Sequence, residues 1–276
     1  MIDLLNEHKS RQNHRYVVGL ADGARVESVV YRGDTLCVSS QVGCAVACPF
    51  CASGARGFGR NLELPELIGQ LDAALDRGHP IARVTLSGVG EPLHNFDHAR
   101  TFLEHCRARR IKASLTTSGG PLSRLAEALT WHHNGLTLSV HAGTEPTRAR
   151  LVPNAPSLDG LFGVLTEVVP TLSASKRKKT ALAYLLMAGD NDSDAEVDAF
   201  AARARALGLT VHLYAYNPVP SSDRKPIARA RYDALWARLT ARGLRVRMSS
   251  TARIEQNGGC GTLVALRTDA RAAAAP

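Results

Sequence analysis

The sequence predicts an α/β protein built as a partial (β/α)6 barrel with a short N-terminal β extension. Three observations predict it. From residue 35 to residue 248, apolar strand-like runs alternate with helical patterns, which implies parallel strands joined by crossover helices. About six βα units can be counted, enough for an open barrel and short of the eight of a closed one. Before that alternation, the turn dipeptides Asp22-Gly23 and Gly33-Asp34 separate three short strand-like runs.

The first fifteen residues are polar and weakly patterned. Strands are expected at Tyr16 to Leu20, Val26 to Tyr31 and Thr35 to Ser40, followed by a Gly- and Cys-rich loop from Gln41 to Asn61. Helical patterns fit Pro65 to Arg77, Asp97 to Arg107, Pro121 to Trp131, Ser157 to Leu172, Asp194 to Leu207 and Ala228 to Arg242. Between them lie apolar runs at Arg83 to Leu86, Ala113 to Thr116, Leu136 to Val140, Ala181 to Met187, Val211 to Ala215 and Leu244 to Met248. The expected division is residues 1–34 as the β extension, 35–267 as the barrel with a C-terminal catalytic loop, and 268–276 as a frayed, Ala-rich tail.

The composition is that of a globular protein: 276 residues, 45% apolar and 21% charged. The longest apolar runs, such as Ala181 to Ala188, fall far short of the roughly 18 residues of a membrane helix. Met1 to Lys9 is polar and lacks the apolar stretch of a signal peptide, so a cytoplasmic protein without membrane contact is expected. The net charge of +9 suits a polyanion such as RNA and equally suits plain solubility.

Six cysteines are present, four of them within fifteen residues. In a reducing compartment such crowding points to metal or redox chemistry. Cys44, Cys48 and Cys51 form C-x3-C-x2-C. Three thiolates would hold three irons of a [4Fe–4S] cluster and leave the fourth iron open to a small chelating ligand. The alternative is a zinc site completed by a histidine or by Cys37, although no histidine lies in the loop. Cys106 lies in a helical pattern without a motif and reads as packing.

C-x3-C-x2-C with Phe50 before the last cysteine resembles the signature of the radical S-adenosylmethionine (SAM) superfamily. The surroundings resemble the RlmN/Cfr family of adenine methyltransferases: Thr35 to Cys44, Gly57 to Leu62, Gly88-Val89-Gly90-Glu91-Pro92-Leu93, Leu115 to Gly119, Leu138-Ser139-Val140-His141-Ala142, Tyr216-Asn217-Pro218 and Gly259-Cys260-Gly261, in family order. The resemblance implies a radical SAM barrel with a [4Fe–4S] cluster on Cys44, Cys48 and Cys51 and two SAM molecules per turnover. It implies SAM contacts by Gly90, Glu91, Thr116, Ser139, Val140, His141 and Asn217. Single-electron reduction by an external donor such as flavodoxin or ferredoxin is also implied.

The family methylates carbon 2 or carbon 8 of adenine, an electron-poor carbon that does not attack a methyl cation equivalent. The resemblance makes Cys260 the methyl carrier. A 5′-deoxyadenosyl radical then converts its S-methyl group into a methylene radical that adds to the base. Cys37 would release the product by closing a disulfide with Cys260, which requires Cα atoms roughly 4.4–6.8 Å apart. Glu27 matches the family's proton acceptor. The substrate implied is 23S rRNA or tRNA; the same chemistry on a small adenine nucleotide or another small heteroaromatic is the alternative, and a non-catalytic iron–sulfur RNA-binding module is remote. The basic clusters Arg107/Arg109/Arg110/Lys112 and Lys176-Arg177-Lys178-Lys179 would contact phosphates or form solvated helix ends and a loop. The family's N-terminal helical accessory domain is expected to be missing from this chain, and the stretch before Cys260 departs from the family's acidic pattern.

Overall fold

The computed structural model describes residues 2–255, 259 and 261–264. Strands β1 (Asp3–Lys9), β2 (Asn13–Gly19) and β3 (Arg25–Tyr31) form an antiparallel meander. It continues antiparallel into β4 (Thr35–Val38), the first barrel strand. Next come a small hairpin of β5 (Gln41–Gly43) and β6 (Phe58–Asn61), helix α1 (Leu64–Asp76), β7 (Arg83–Leu86), α2 (Phe96–Ala108), β8 (Lys112–Thr117), α3 (Leu122–Ala128) and β9 (Gly135–Ser139). The crossover after β9 carries α4 (Glu145–Leu151), α5 (Leu158–Val168) and α6 (Ala174–Lys179) before β10 (Thr180–Ala188). Then follow α7 (Asp194–Arg205), β11 (Thr210–Ala215), β12 (Lys225–Pro226), α8 (Arg229–Ala241) and β13 (Arg245–Met248).

From β4 to β13 the large strands pair in parallel in the order β4-β7-β8-β9-β10-β11-β13. Seven parallel strands and six crossovers make the expected open barrel. The sheet is continuous across Asp34, so the N-terminal extension is an added edge of the barrel sheet.

Burial alternates along the middle strands. In β8, Ala113, Leu115 and Thr117 are buried while Ser114 and Thr116 are partly open; in β9, Leu136 and Leu138 are buried while Thr137 and Ser139 are not. The apolar set packs under the helices and the polar set faces the lumen, as the period of two requires. The helices answer with residues at i, i+3, i+4 and i+7: Ala99, Phe102, Leu103 and Cys106 in α2, and Leu158, Leu161, Phe162 and Leu165 in α5. Cys106 is fully buried in that stripe. Local signals fix the helix starts: a Glu63/Glu66 capping box on α1, and Ser157 and Ser193 hydroxyls accepting backbone N–H bonds at α5 and α7.

Several elements escape the sequence pattern. β1 lies in the stretch expected to be unpatterned; β5 and β6 lie inside the expected loop; α4 and α6 lie within a single long crossover. The expected helix from Ser157 to Leu172 ends at Val168, where Pro170 removes a backbone donor. The expected tail, 268–276, lies outside the described residues. No described helix is long and apolar enough to cross a membrane.

Candidate active site

The cysteine loop is clamped at its base by the β5–β6 hairpin. Gly43 sits at φ +80°, and a Cβ there would stand 1.9 Å from the Gly57 carbonyl oxygen, so only glycine closes this neck. Cys44, Cys48 and Cys51 line one cavity of about 140 Å³ together with Gly90, Glu91 and Thr116; Ser139 and His141 lie on the same wall. Burial pushes the Cys44 thiol up to about 12, with Glu91 and Cys51 adding to the effect. Burial likewise raises Cys48, again with its sister thiols contributing. Thiols placed this way ionise only with a metal as their counter-charge. Among the described residues, no three His, Cys, Asp or Glu side chains converge on a centre that would hold a single ion. Three thiols on one cavity offer one sulfur to each of three irons of a cluster, whereas a four-coordinate zinc would need a fourth ligand.

Beside the cysteines, Glu91 is 3% exposed and its carboxylate is saturated. Oε1 accepts the Leu93 N–H (3.0 Å) and the Thr117 hydroxyl (2.5 Å); Oε2 accepts the Ser118 N–H and hydroxyl, both at 2.7 Å. Its own N–H is held by the Gln41 side chain at 2.7 Å. Gly90, at φ +110°, packs so tightly that a Cβ would lie 2.7 Å from Gln41. Thus Glu91 locks the turns after β7 and β8 together, leaving the Gly90 backbone on the cavity wall.

Arg148, on α4, does the same for the neighbouring turns. It is 1% exposed and donates to the carbonyls of Ser139 (2.6 Å), Val140 (2.9 Å), Ser118 (2.8 Å) and Pro156 (3.2 Å). Burial lowers its pKa to about 10, opposed by Cys48, Glu145 and Glu91, so it remains a cation at neutral pH.

His141 stands at φ +58° after β9, held by its N–H to the Ala183 carbonyl and by Asn191 on its own carbonyl. Its Nδ1 accepts the Leu185 N–H at 3.1 Å. Burial, aided by Arg148, lowers its pKa to about 3. The ring is therefore neutral, and its proton belongs on Nε2, a donor on the cavity wall. Phe50 meets it edge-on with ring centroids 5.6 Å apart.

A second cavity shares Cys51, Ser53, Ser87 and Gly88 with the first and is lined further by Cys37, Arg253, Gly259 and Gly261. The Cys37 sulfur lies 3.2 Å from the Ser87 hydroxyl. Cys260 lies outside the described residues; both of its chain neighbours share a cavity with Cys37. The segment around it is tied down from several sides. Ala52 N–H donates to the Gly261 carbonyl and the Ser53 hydroxyl to the Leu263 carbonyl, each at 2.8 Å. Asn13 holds the Ala252 carbonyl at 2.8 Å, and Ser10 pairs with the Glu255 carboxylate.

Not every expected residue lines these cavities. Glu27 is buried on β3, where Oε2 accepts the Val264 N–H at 2.8 Å and Oε1 lies 3.5 Å from Arg15. Burial raises its pKa, partly countered by Val264, Arg15 and His8. Asn217 donates to the Glu255 carbonyl at 2.9 Å and so braces the segment before Cys260. The Val140 side chain is fully buried in the main core, leaving only its backbone near the site. Sequence reasoning missed Arg148, Thr117, Ser118 and Ser87. It also missed Arg253, whose guanidinium sits 5.6 Å from the Tyr31 ring centre and 5.2 Å from that of Tyr214. Nothing local distinguishes Arg148 or Arg253 among 34 lysines and arginines.

The sequence profile of the radical SAM superfamily matches residues 38–202. A probable dual-specificity RNA methyltransferase RlmN of Trichormus variabilis is 32% identical over 263 residues, 90% of this chain and 72% of that one. A probable RNA methyltransferase of Rhodopseudomonas palustris is 36% identical over 218 residues, 75% of this chain and 59% of that one. Among solved structures, a radical SAM methyltransferase from Sphaerobacter thermophilus superposes with a TM-score of 0.84 at 26% identity, covering 95% of this chain and 81% of that one.

Proposed function

The chain belongs to the radical SAM superfamily and, within it, to the RlmN-like methyltransferases, a SAM-dependent radical methyltransferase for which we propose RNA as the substrate and carbon 2 or carbon 8 of an adenine as the methylated position. In this reading the RNA is 23S rRNA or tRNA, Cys260 carries the methyl group and Cys37 resolves the covalent adduct. One observation carries it: Cys37 and both described neighbours of Cys260 line one cavity, which adjoins the three-cysteine cavity through Cys51.

When bound, the cluster and SAM supply the radical that starts the reaction. The chain's own residues do the rest. Cys44, Cys48 and Cys51 would hold the cluster. The Gly90 backbone, the Thr116 and Ser139 hydroxyls and the His141 Nε2–H form the polar wall for SAM. Glu91 and Arg148 are spent inside the protein and act by fixing that wall. Two SAM molecules would be used per turnover, one for the methyl group and one for the radical, with flavodoxin or ferredoxin as electron donor. Glu27 has the raised pKa of a carboxylate able to take up a proton, and its bond to Val264 couples that proton to the segment that follows Cys260. Arg253, flanked by two tyrosine rings at the mouth, offers a planar cation to a base or its phosphate. Residues 1–34 and 35–267 serve as extension and catalytic barrel.

The test is anaerobic incubation of reduced, cluster-loaded protein with SAM and either rRNA fragments, tRNA or AMP, followed by mass spectrometry of the product. Methyladenosine is expected in RNA, and Cys37→Ala is expected to stop after one turnover with RNA covalently attached. Turnover of AMP as efficient as that of RNA would reject the substrate assigned; wild-type turnover by Cys37→Ala would reject the resolving role.

A further inference from the structure

The opposite end of the barrel holds a cavity that the methylation chemistry does not use. It measures about 230 Å³ and is lined by Arg107, His132, His133, Asn134 and Lys179, over an apolar floor that includes Leu103. It lies where β8, β9 and β10 begin: Lys112, Gly135 and Thr180 open those strands. Thr116 and Thr117, at the other end of β8, belong to the catalytic wall. Three residue steps of about 3.3 Å, from Ala113 to Thr116, separate the two linings along β8 by roughly 10 Å.

Three observations set this cavity apart. First, His133 is 7% exposed and lines the cavity; among the described residues no side chain bonds its ring, and the Leu129 carbonyl is the backbone group that acts on it as acceptor. A buried imidazole held by a backbone carbonyl alone, beside a polar cavity, is lightly partnered. Second, the fold joins here the two basic clusters that are 64 residues or more apart in sequence: Arg107 comes from the last turn of α2 and Lys179 from the end of α6. Third, the nearby carboxylates are engaged elsewhere. Glu104 and Glu127 pair with Arg100 at 3.4 Å and 3.2 Å, and Asp72 pairs with Arg109. Cations at helix C-termini also answer the helix dipole. That accounts for where Arg107 and Lys179 sit, and leaves the cavity between them unexplained.

We propose that this cavity binds a phosphate group, with Arg107 and Lys179 supplying the charge, Asn134 a neutral donor, and the His133 ring forming part of the wall. In the working complex the group is a backbone phosphate of the RNA substrate well away from the target adenine. The source of the phosphate rests on the RNA reading above; the site itself does not. A phosphate held here would anchor the polymer without touching the reacting base.

Two measurements on the full, cluster-loaded chain decide it. In the first, inorganic phosphate is titrated while the His133 imidazole signal is followed by NMR, assigned with His133→Asn. A saturable shift is expected, absent from the Arg107→Ala/Lys179→Ala double variant. In the second, binding of a methylatable RNA is measured against salt. Loss of this one phosphate should flatten the log–log slope by about 0.7–0.9. The KM for RNA should rise, while reductive SAM cleavage without RNA stays unchanged. No phosphate-dependent shift in the wild type overturns the site. A shift with an unaltered salt slope in the double variant overturns RNA as the source. If no RNA is methylated at all, the functional reading falls and the phosphate titration still decides the site.

Discussion

At the mouth of the barrel, buried charge is satisfied several times over. Glu91 takes four donors and Arg148 gives to four carbonyls, so the turns after β7, β8 and β9 behave as one framework. At the other end, His133 is nearly as buried and, among the described residues, is met by no side chain, only by the Leu129 carbonyl. The contrast separates two uses of polar groups. A group whose valences are filled by the protein shapes a site; a group with fewer partners than it can use remains open to a ligand.

Breaking the framework should give the largest effect. Arg148→Met keeps the volume and removes every donor, leaving four carbonyls at the mouth without their partner. We expect a loss of about 3–5 kcal/mol in unfolding free energy, in the range for a buried charged group removed from its network. Arg148→Lys should recover part of it, since a single ammonium cannot span carbonyls from four residues. Denaturant midpoints at unchanged m-value measure this. Wild-type stability of Arg148→Met would show that the mouth is held by its strands alone.

How much of this was legible in the sequence differs along the same line. The barrel strands and long helices were, because their burial follows the periods of two and 3.6 that sequence patterns report. β1 was not: nearly all of its side chains are exposed, and its identity comes from pairing, Asp3 with Gly19 through Lys9 with His14. α6 reads Ala174-Ser175-Lys176-Arg177-Lys178-Lys179 and buries none of its side chains, so it carried no apolar stripe to find. The cysteine loop was legible because its three cysteines are local in sequence. Arg148 and Arg253 were not, because only the fold brings them to the mouth. Motif membership placed Val140 and Asn217 in the candidate site without saying where their side chains point. Strand alternation turned Val140 into the core, and the closing segment engaged Asn217.

Acid should weaken both ends, to a smaller extent. Burial lowers the pKa of His133 to about 4, with Lys176, Lys179 and His132 assisting, and that of His212 on β11 to about 4, with Arg253 and Arg247 assisting. Both folded values lie below the roughly 6.5 of an unfolded chain. Between pH 4 and 6.5 the unfolded state therefore binds more protons. The stabilisation is fully present above pH 6.5 and is lost as pH falls toward 4, by up to about 3 kcal/mol for each group. Unfolding midpoints across that range should fall steadily. His133→Asn should flatten the part due to the far end, and bound phosphate, which favours a charged imidazole, should flatten it in the wild type too. A slope that His133→Asn leaves unchanged would mean that this ring already has water or protein partners in solution.

The smallest effect separates stability from binding at the far end. Glu104 is 58% exposed and pairs with Arg100, itself 52% exposed, one helical turn away on α2. Exposed pairs of this kind contribute about 0–1 kcal/mol, so Glu104→Gln should leave unfolding almost unchanged. Yet Glu104 stands one turn from Arg107 and lines the neighbouring cavity with His132. Its charge opposes an incoming phosphate. Removing it should raise RNA affinity by about twofold at low ionic strength, and the gain should vanish at 1 M salt, where charges are screened beyond about 3 Å. The same substitution should leave the KM for SAM alone, because that wall lies at the opposite end of β8. A gain that persists in high salt would be a packing effect, and the far end would then lose its claim to bind through charge.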